Sequence, residues 1–389
     1  MAAGVLVVGG GLGGSGTCAA LRGAGYDGPI TLVGAESCAP YDRPPLSKDV
    51  LVGGDPDITL QPSLDELEVT VRLGERAVAL DTAARTVHTD RAERSYDDLV
   101  IATGAEPIAL PGAGDQLLLR TRADAERLRA ALVPGARVVL VGAGWIGAEV
   151  ATAALARGCV VTCLELDPFP LATPLGDRAG ARIAAWWDGI DLRCDTAVRA
   201  VEPGGVVLED GSWIDADLVV TGVGVRPAVG WLAGSGLELD GGVAVDADRR
   251  TSDPHVYAVG DAAARWSDRI GGRVHVGHWD EAATGPAAVA AAVLGTPKGQ
   301  DDVPYFWSDQ FGRKIQYVGQ HTDRCRPVLR EGSDPDRWGV AWLDDDDRMT
   351  AHLSVSSPRA SALSRGLIES GAVLDPALLA DLNARAVTA

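Results

Sequence analysis

The sequence predicts an α/β chain built from two copies of a parallel strand–helix–strand unit, followed by a smaller α+β domain. Two glycine-rich turns set between apolar runs predict the units, and a change of texture beyond about residue 300 predicts the last domain. The length, 389 residues, exceeds what one ordinary core organises and calls for two or three domains.

The first unit opens with the β-branched run Val5–Val8, which ends at Gly9, Gly10, Gly11, Leu12, Gly13 and Gly14. An Ala-rich helical stretch follows, and a second apolar run, Thr31–Val33, stops at Gly34, Ala35 and Glu36. The second unit repeats that order. Val138–Val141 enters Gly142, Ala143, Gly144, Trp145, Ile146 and Gly147, a helix runs through Ala156, and Val160–Leu164 ends at Glu165. One glycine turn is a weak signal. Two complete units about 130 residues apart, each with an acid some 20 residues past its turn, are a specific one.

The pattern G-x-G-x-x-G is met by Gly9, Gly11 and Gly14, and again by Gly142, Gly144 and Gly147. It suits a dinucleotide: a pyrophosphate must approach backbone N–H groups closely, which glycine permits, and the following helix N-terminus supplies partial positive charge. Both units therefore read as Rossmann-like dinucleotide-binding domains. Glu36 and Glu165 are placed to accept hydrogen bonds from ribose hydroxyls. Glu165 also repels a 2′-phosphate, and Leu166–Pro170 holds no arginine to receive one, so NADH is expected over NADPH.

Past the second unit, Ala287–Leu294 reads as a helix packed on the first domain. Strand-like pieces at Ile315–Val318 and Trp338–Leu343, an acidic hairpin tip at Asp344–Asp347, and helices over Ser357–Glu369 and Pro376–Arg385 make up the α+β domain.

Composition narrows the function. Lys plus Arg number 35 against 54 Asp plus Glu, a formal charge of −19, which argues against nucleic acid or an anionic membrane as partner. Apolar residues at 46% and charged ones at 23% suit a folded chain and not a disordered one. No apolar run approaches the roughly 18–20 residues that span a bilayer. Gly4–Val8 lacks a basic flank and is not a signal peptide. Cys18, Cys38, Cys159, Cys163, Cys194 and Cys325 form no C-x-x-C pair and no dense secreted-type framework. A cytoplasmic location and no metal centre are expected.

One further segment, Pro40-Tyr41-Asp42-Arg43-Pro44-Pro45-Leu46-Ser47-Lys48, closely resembles one found in the FAD-dependent ferredoxin reductases that serve bacterial cytochrome P450 and Rieske oxygenase systems. Four more stretches look like the same family, in the same order: Asp98–Gly104, Thr221–Pro227, Tyr257–Asp261 and Pro304–Gln310. Together they cover nearly the whole chain.

The resemblance implies a glutathione-reductase-like fold: an FAD-binding domain in two pieces, 1–110 and 228–300, an NAD-binding domain, 111–227, and a C-terminal interface domain, 301–389. It also implies roles. Leu12 and Gly13 would join the first turn against FAD, together with Arg43, Pro44, Ala102, Thr103, Gly104 and Gly260. Asp261 would hold the ribityl chain, Val78 would pair by backbone with the adenine, and Arg120 would lie along the cofactor. His278 and Trp279 would sit by the flavin, with Trp279 on the face away from the nicotinamide. Trp145 and Ile146 in the second turn, and Gly222, Val223 and Gly224, would border NADH.

Lys48 would stand beside the flavin, where hydride arrival leaves negative charge that an ammonium stabilises, and Glu149 would be its counter-charge. These two form the expected catalytic pair. Cys38 has no cysteine partner within a short turn, so electrons are expected to leave the flavin directly and singly rather than through a dithiol. The chain departs from the family around Trp279, with His275 and Gly277 before it and Glu281 and Gly285 after it, positions expected to border the flavin and the docking face. Arg313 and Lys314, beside Tyr305, Phe306 and Trp307, are candidates for a basic docking patch.

The implied activity is hydride transfer from NADH to FAD and release of single electrons to a small [2Fe–2S] or related ferredoxin, bound transiently by a monomer or dimer. The alternatives are an NADH-driven flavin oxidase or small-molecule reductase, and a flavin-bearing interaction protein without turnover.

Overall fold

The computed structural model describes residues 3–275, 277–299 and 301–382. The chain forms two compact units, one made of the segment up to Asp42 with Ile58–Glu106 and Arg226–Phe306, the other of Arg43–Asp57, Pro107–Val225 and the segment from Trp307 on.

In the first unit five parallel strands lie in the order Val256–Ala258, Asp98–Ile101, Val5–Val8, Ile30–Gly34 and Thr70–Leu73. Val5 pairs with Ile30 on one side and Asp98 on the other, and Val256 pairs with Leu99. A strand 250 residues downstream thus completes the sheet opened by the N-terminus, a long crossing that an inserted segment explains. These strands are apolar runs because both faces are covered. Leu6, Val8, Val33, Leu99 and Ile101 face one core cluster, and Val5, Val7, Ile30, Leu32 and Val100 face the other.

Helix Leu12–Gly23 follows the first strand, and helix Trp279–Val293 packs beside it. The close approach rests on small residues: a Cβ on Gly16 would lie 3.2 Å from Pro286, and one on Gly13 would lie 3.7 Å from Ala282. The second helix starts eight residues earlier than the Ala287–Leu294 run suggests. Gly285 and Pro286 read as a break in sequence, yet the helix passes through them, since neighbouring packing outweighs the one hydrogen bond that proline removes.

The second unit holds four parallel strands, in the order Asp191–Arg193, Val160–Leu164, Arg137–Val141 and Leu218–Thr221, with helix Trp145–Ala156 after the second glycine turn. Strand ends here match the sequence reading to within a residue, and the helix ends at Ala156 as expected but starts three residues sooner, at Trp145 within the glycine turn, where Gly144 is its N-cap. The antiparallel meander Val198–Glu202, Gly205–Leu208 and Trp213–Asp215 shares a core cluster with it through Val201, Val206 and Leu208.

The C-terminal part of the chain is an antiparallel sheet in the order Tyr305–Gln310, Arg313–Gly319, Met349–Val355, Trp338–Leu343 and Arg326–Glu331. Helix Pro358–Ser370 packs on it, and Asp344–Asp347 is the hairpin tip expected, with Asp345 and Asp346 exposed. The last expected helix is shorter, Pro376–Leu379, capped at its start by Asp375. Positions 383–385 of the expected helix lie outside the described residues. Among the described residues no helix is long and apolar enough to cross a membrane.

Two glycines in the first helix separate a packing requirement from mere flexibility. A Cβ on Gly14 would lie 1.9 Å from the Gly9 carbonyl oxygen, whereas Gly23 is exposed and has nothing within 4 Å. Gly14→Ala is expected to lower the melting temperature by several degrees. Gly23→Ala is expected to hold or raise stability, by up to roughly 0.5–1 kcal/mol. Circular dichroism melts of the two variants check this, and equal shifts would show that the turn relaxes around an added methyl group.

Candidate active site

The two glycine turns divide their work in the same way. Gly9 (φ +126°) and Gly142 (φ +100°) occupy backbone conformations that favour glycine, and a Cβ on them would lie 2.0 Å from the Ala102 carbonyl oxygen and 2.6 Å from that of Gly222. Gly14 and Gly147 bring each helix against its turn, with added Cβ atoms 1.9 and 2.0 Å from the carbonyls of Gly9 and Gly142. The middle glycines differ. Gly11 has nothing within 4 Å of an added Cβ, and Gly144 has only the Gly222 oxygen at 4.0 Å. Each middle glycine is the N-cap of its helix, so the first helical N–H groups, from Leu12 and Gly13 and from Trp145 and Ile146, face that open space. Bare backbone beside an unfilled helix N-terminus fits a pyrophosphate at both turns.

The acids at the strand ends are held in place. Glu165 accepts from the backbone N–H of Ala143 in the second turn (2.6 Å) and from that of Asp167 (2.9 Å). Glu36 accepts from the Tyr41 hydroxyl at 2.7 Å.

From Tyr41 on, successive polar residues of one short segment each hold a residue of the expected site. In the first unit Asp42 accepts from the Trp279 indole N–H at 2.7 Å. In the second, Arg43 donates to the Arg120 carbonyl at 2.6 Å, and Pro44 starts the short 3-10 turn Pro44–Ser47 that delivers Lys48. The Lys48 ammonium donates to Glu149 Oε2 at 3.0 Å and to the Pro44 carbonyl at 3.3 Å. Glu149, 4% exposed, sits in the first turns of helix Trp145–Ala156. Its Oε2 also accepts from the Ser47 hydroxyl, and its Oε1 accepts from the Ser308 hydroxyl (2.6 Å) and the Asp309 N–H (3.2 Å).

The other expected residues are distributed as follows. Ala102 and Thr103 abut Gly9, and the Thr103 hydroxyl bonds the Ala228 carbonyl. Gly104 has a positive φ. Gly260 (φ +70°) opens a short turn carrying Asp261, whose carbonyl lies 2.9 Å from His275 Nε2. His278 stacks on Phe306 at 4.0 Å, and burial pushes its imidazole down to about 4 against the opposing pull of Asp261. Val78 is half exposed on strand Ala77–Asp81, where the ladder with its neighbour shifts between Ala77 and Ala79 and leaves its backbone out of register. Gly222 abuts Gly142, Gly224 takes φ +119°, and Val223 between them is exposed.

Two expectations need correction. Glu281 does not border an open face. It is buried, pairs with Arg249 at 2.8 Å and lies near Arg265, both of which are buried as well. Gly285 leaves room for that pair, since a Cβ there would lie 2.9 Å from Glu281 Oε1 and 2.6 Å from Val259. Glu281 and Gly285 thus belong together: an acid placed inside needs a cation beside it, and the glycine one turn on leaves it room. Arg313, read as a docking cation, is engaged within the protein. It lies over the Trp186 ring at 5.2 Å and pairs with Asp336 at 2.9 Å. Lys314 remains half exposed, 3.9 Å from Asp309.

Sequence reasoning missed Tyr41, Asp42, Ser47 and Ser308. All four lie within the two stretches Pro40–Lys48 and Pro304–Gln310, whose polar residues were the available signal.

Comparison with known proteins agrees with this geometry. Residues 3–292 match the pyridine nucleotide-disulphide oxidoreductase family, and residues 305–386 match the reductase C-terminal family. The chain belongs to the pyridine nucleotide-disulphide oxidoreductases. It is 36% identical to the ferredoxin–NAD(+) reductase component of the anthranilate 1,2-dioxygenase system of Burkholderia cepacia, covering 97% of this chain and 96% of that protein. Rhodocoxin reductase of Rhodococcus erythropolis is 34% identical, covering 97% and 92%. Among solved structures, Fdr9 superposes with a TM-score of 0.96 at 51% identity over 100% of both chains. Putidaredoxin reductase, in its covalent complex with putidaredoxin, gives a TM-score of 0.90 at 30% identity, covering 97% and 95%.

Despite the family's name, this pyridine nucleotide-disulphide oxidoreductase has no cysteine between Cys38 and Cys159. The buried thiols are poor nucleophiles: burial pushes Cys18 up to about 12, and burial with the nearby Glu165 holds Cys163 well above the usual thiol range.

Glu165→Ala leaves the Ala143 and Asp167 N–H groups without their acceptor and removes the charge expected to oppose a 2′-phosphate. The variant is expected to raise KM for NADH by about tenfold and to narrow the ratio of kcat/KM between NADH and NADPH, the loss expected of a charge-assisted hydrogen bond. Steady-state kinetics with both nucleotides measure it, and an unchanged ratio would remove Glu165 as the selector.

Proposed function

We propose that this enzyme is an NADH-dependent ferredoxin reductase, with FAD on the first glycine turn and NADH on the second. Held there, FAD would supply the chemistry, taking a hydride from NADH and releasing electrons singly. The observation that carries the reading is the doubled turn: two open helix N-termini, each with an acid fixed at the end of the next strand. On this reading 1–110 with 228–300 bind FAD, 111–227 bind NADH, and 301–389 serve the partner.

The residues of the chain supply position and charge. Gly9, Gly11 and Gly14 admit the FAD pyrophosphate, Glu36 takes a ribose, and Asp261 takes the ribityl chain. Trp279, oriented by Asp42, would sit by the flavin ring. Lys48, held by Glu149, would offer its ammonium to the negative charge that a reduced flavin carries. No acid–base triad is required, because hydride transfer depends on holding the nicotinamide at the right distance and angle.

A ferredoxin is the electron acceptor on this reading, supported by the names of the relatives and by the absence of a cysteine pair to receive two electrons. The [2Fe–2S] type, and the P450 or Rieske-type oxygenase behind it, follow from the same resemblance.

The decisive assay is NADH-driven cytochrome c reduction by the purified enzyme, with and without a panel of small bacterial ferredoxins. A large ferredoxin-dependent increase is expected, weaker with NADPH and diminished by salt as electrostatic docking is screened. If NADH bleaches the flavin while no ferredoxin speeds turnover, and oxygen or a small thiol compound does, the acceptor is a small molecule and the ferredoxin reading fails.

A further inference from the structure

All of the Glu149 carboxylate's acceptor sites are used, by Ser47 and Lys48 on one oxygen and by Ser308 and the Asp309 N–H on the other. Two of those four donors come from strand Tyr305–Gln310, a segment some 160 residues further along the chain than Glu149. Ser308 and Gln310 alternate onto one buried face of it, at 1% and 0% exposure.

Their hydrogen bonds have a direction. Gln310 Nε2 donates to Ser308 Oγ at 3.0 Å, so the hydroxyl's own proton is left to point at Glu149 Oε1, 2.6 Å away. The strand does not depend on this hydroxyl for its seat. The Asp309 N–H bonds Glu149 directly, and the Phe311 N–H bonds Thr152 Oγ1 at 3.0 Å, on the next turn of the helix that bears Glu149. Burying a carboxylate, an ammonium, a hydroxyl and an amide together is seldom better for stability than apolar packing of the same volume. What the arrangement does supply is a carboxylate with no freedom to rotate, and therefore a Lys48 ammonium with one position.

We infer that Ser308, aimed by Gln310, is a positioning residue for Lys48, acting through Glu149. The inference rests on the reading of Lys48 as the cation facing the flavin. Lys48 donates to Pro44 and Glu149, which leaves a third N–H of the ammonium for what it faces.

The test separates the two links with four variants: Ser308→Ala, Ser308→Thr, Gln310→Leu and Lys48→Met. Each is first checked for FAD content and melting temperature. The first link is read in the FAD-free protein, from the rate at which an amine-directed acylating reagent modifies Lys48, followed by peptide mass spectrometry. Ser308→Ala is expected to speed acylation about threefold to tenfold, the scale of one typical net hydrogen bond. Ser308→Thr, which keeps the hydroxyl, is expected to restore the wild-type rate, and Gln310→Leu to fall between. The second link is read in the holoenzyme by redox titration of FAD. Ser308→Ala is expected to lower the reduced fraction at a fixed potential in the same direction as Lys48→Met, and by less. Unchanged acylation and an unchanged titration in Ser308→Ala, with Lys48→Met shifted, overturn the inference alone. A titration unmoved by Lys48→Met overturns the reading of Lys48 and the inference with it.

Discussion

Backbone must come within van der Waals reach of backbone at both glycine turns, and much of the molecule is arranged around that constraint. Gly9 lies against Ala102 and Gly14 against Gly9, so the first helix, the first strand and the strand ending at Ile101 meet at one point with no side chain between them. Gly142, Gly147 and Gly222 repeat the meeting in the second unit. With these pieces so close, the middle glycine of each turn still leaves open space at the helix N-terminus, where the orphan N–H groups and the dipole converge. The packing requirement and the binding site are thus one feature.

Around these turns the chain fixes its functional side chains by unlike means. Glu165 is bonded to backbone N–H groups, a rigid arrangement suited to selecting one nucleotide. Glu36 and Trp279 are held by side chains of neighbouring residues, Tyr41 and Asp42. Glu149 is held by side chains and backbone from two distant segments, which makes it a junction as well as a counter-ion. The run Tyr41–Lys48 supplies a holder in nearly every case, so its density of polar and proline residues follows from how many separate partners it must reach within eight residues.

The departures around Trp279 show how local substitutions are absorbed. Glu281, Arg249 and Gly285 form a buried set in which an acid is acceptable because two arginines face it and a missing side chain makes room. Read one residue at a time, Glu281 and Gly285 look like changes to a binding face. Read together in space, they are a change to the interior.

The sequence alone carried the strands, the two turns, their acids and the family, because each depends on short-range pattern: β-branched runs, glycine at fixed spacing, and an acid one strand later. It also carried the pairing of Lys48 with Glu149, though only through likeness to relatives. What tertiary structure decided is which polar residues meet: Asp42 with Trp279, Ser308 with Glu149, Arg249 with Glu281, Arg313 with Asp336. Those partners are 23 to 237 residues apart. No periodicity records such a meeting, because hydrogen bonds and ion pairs are satisfied by whatever the folded chain brings within about 3 Å.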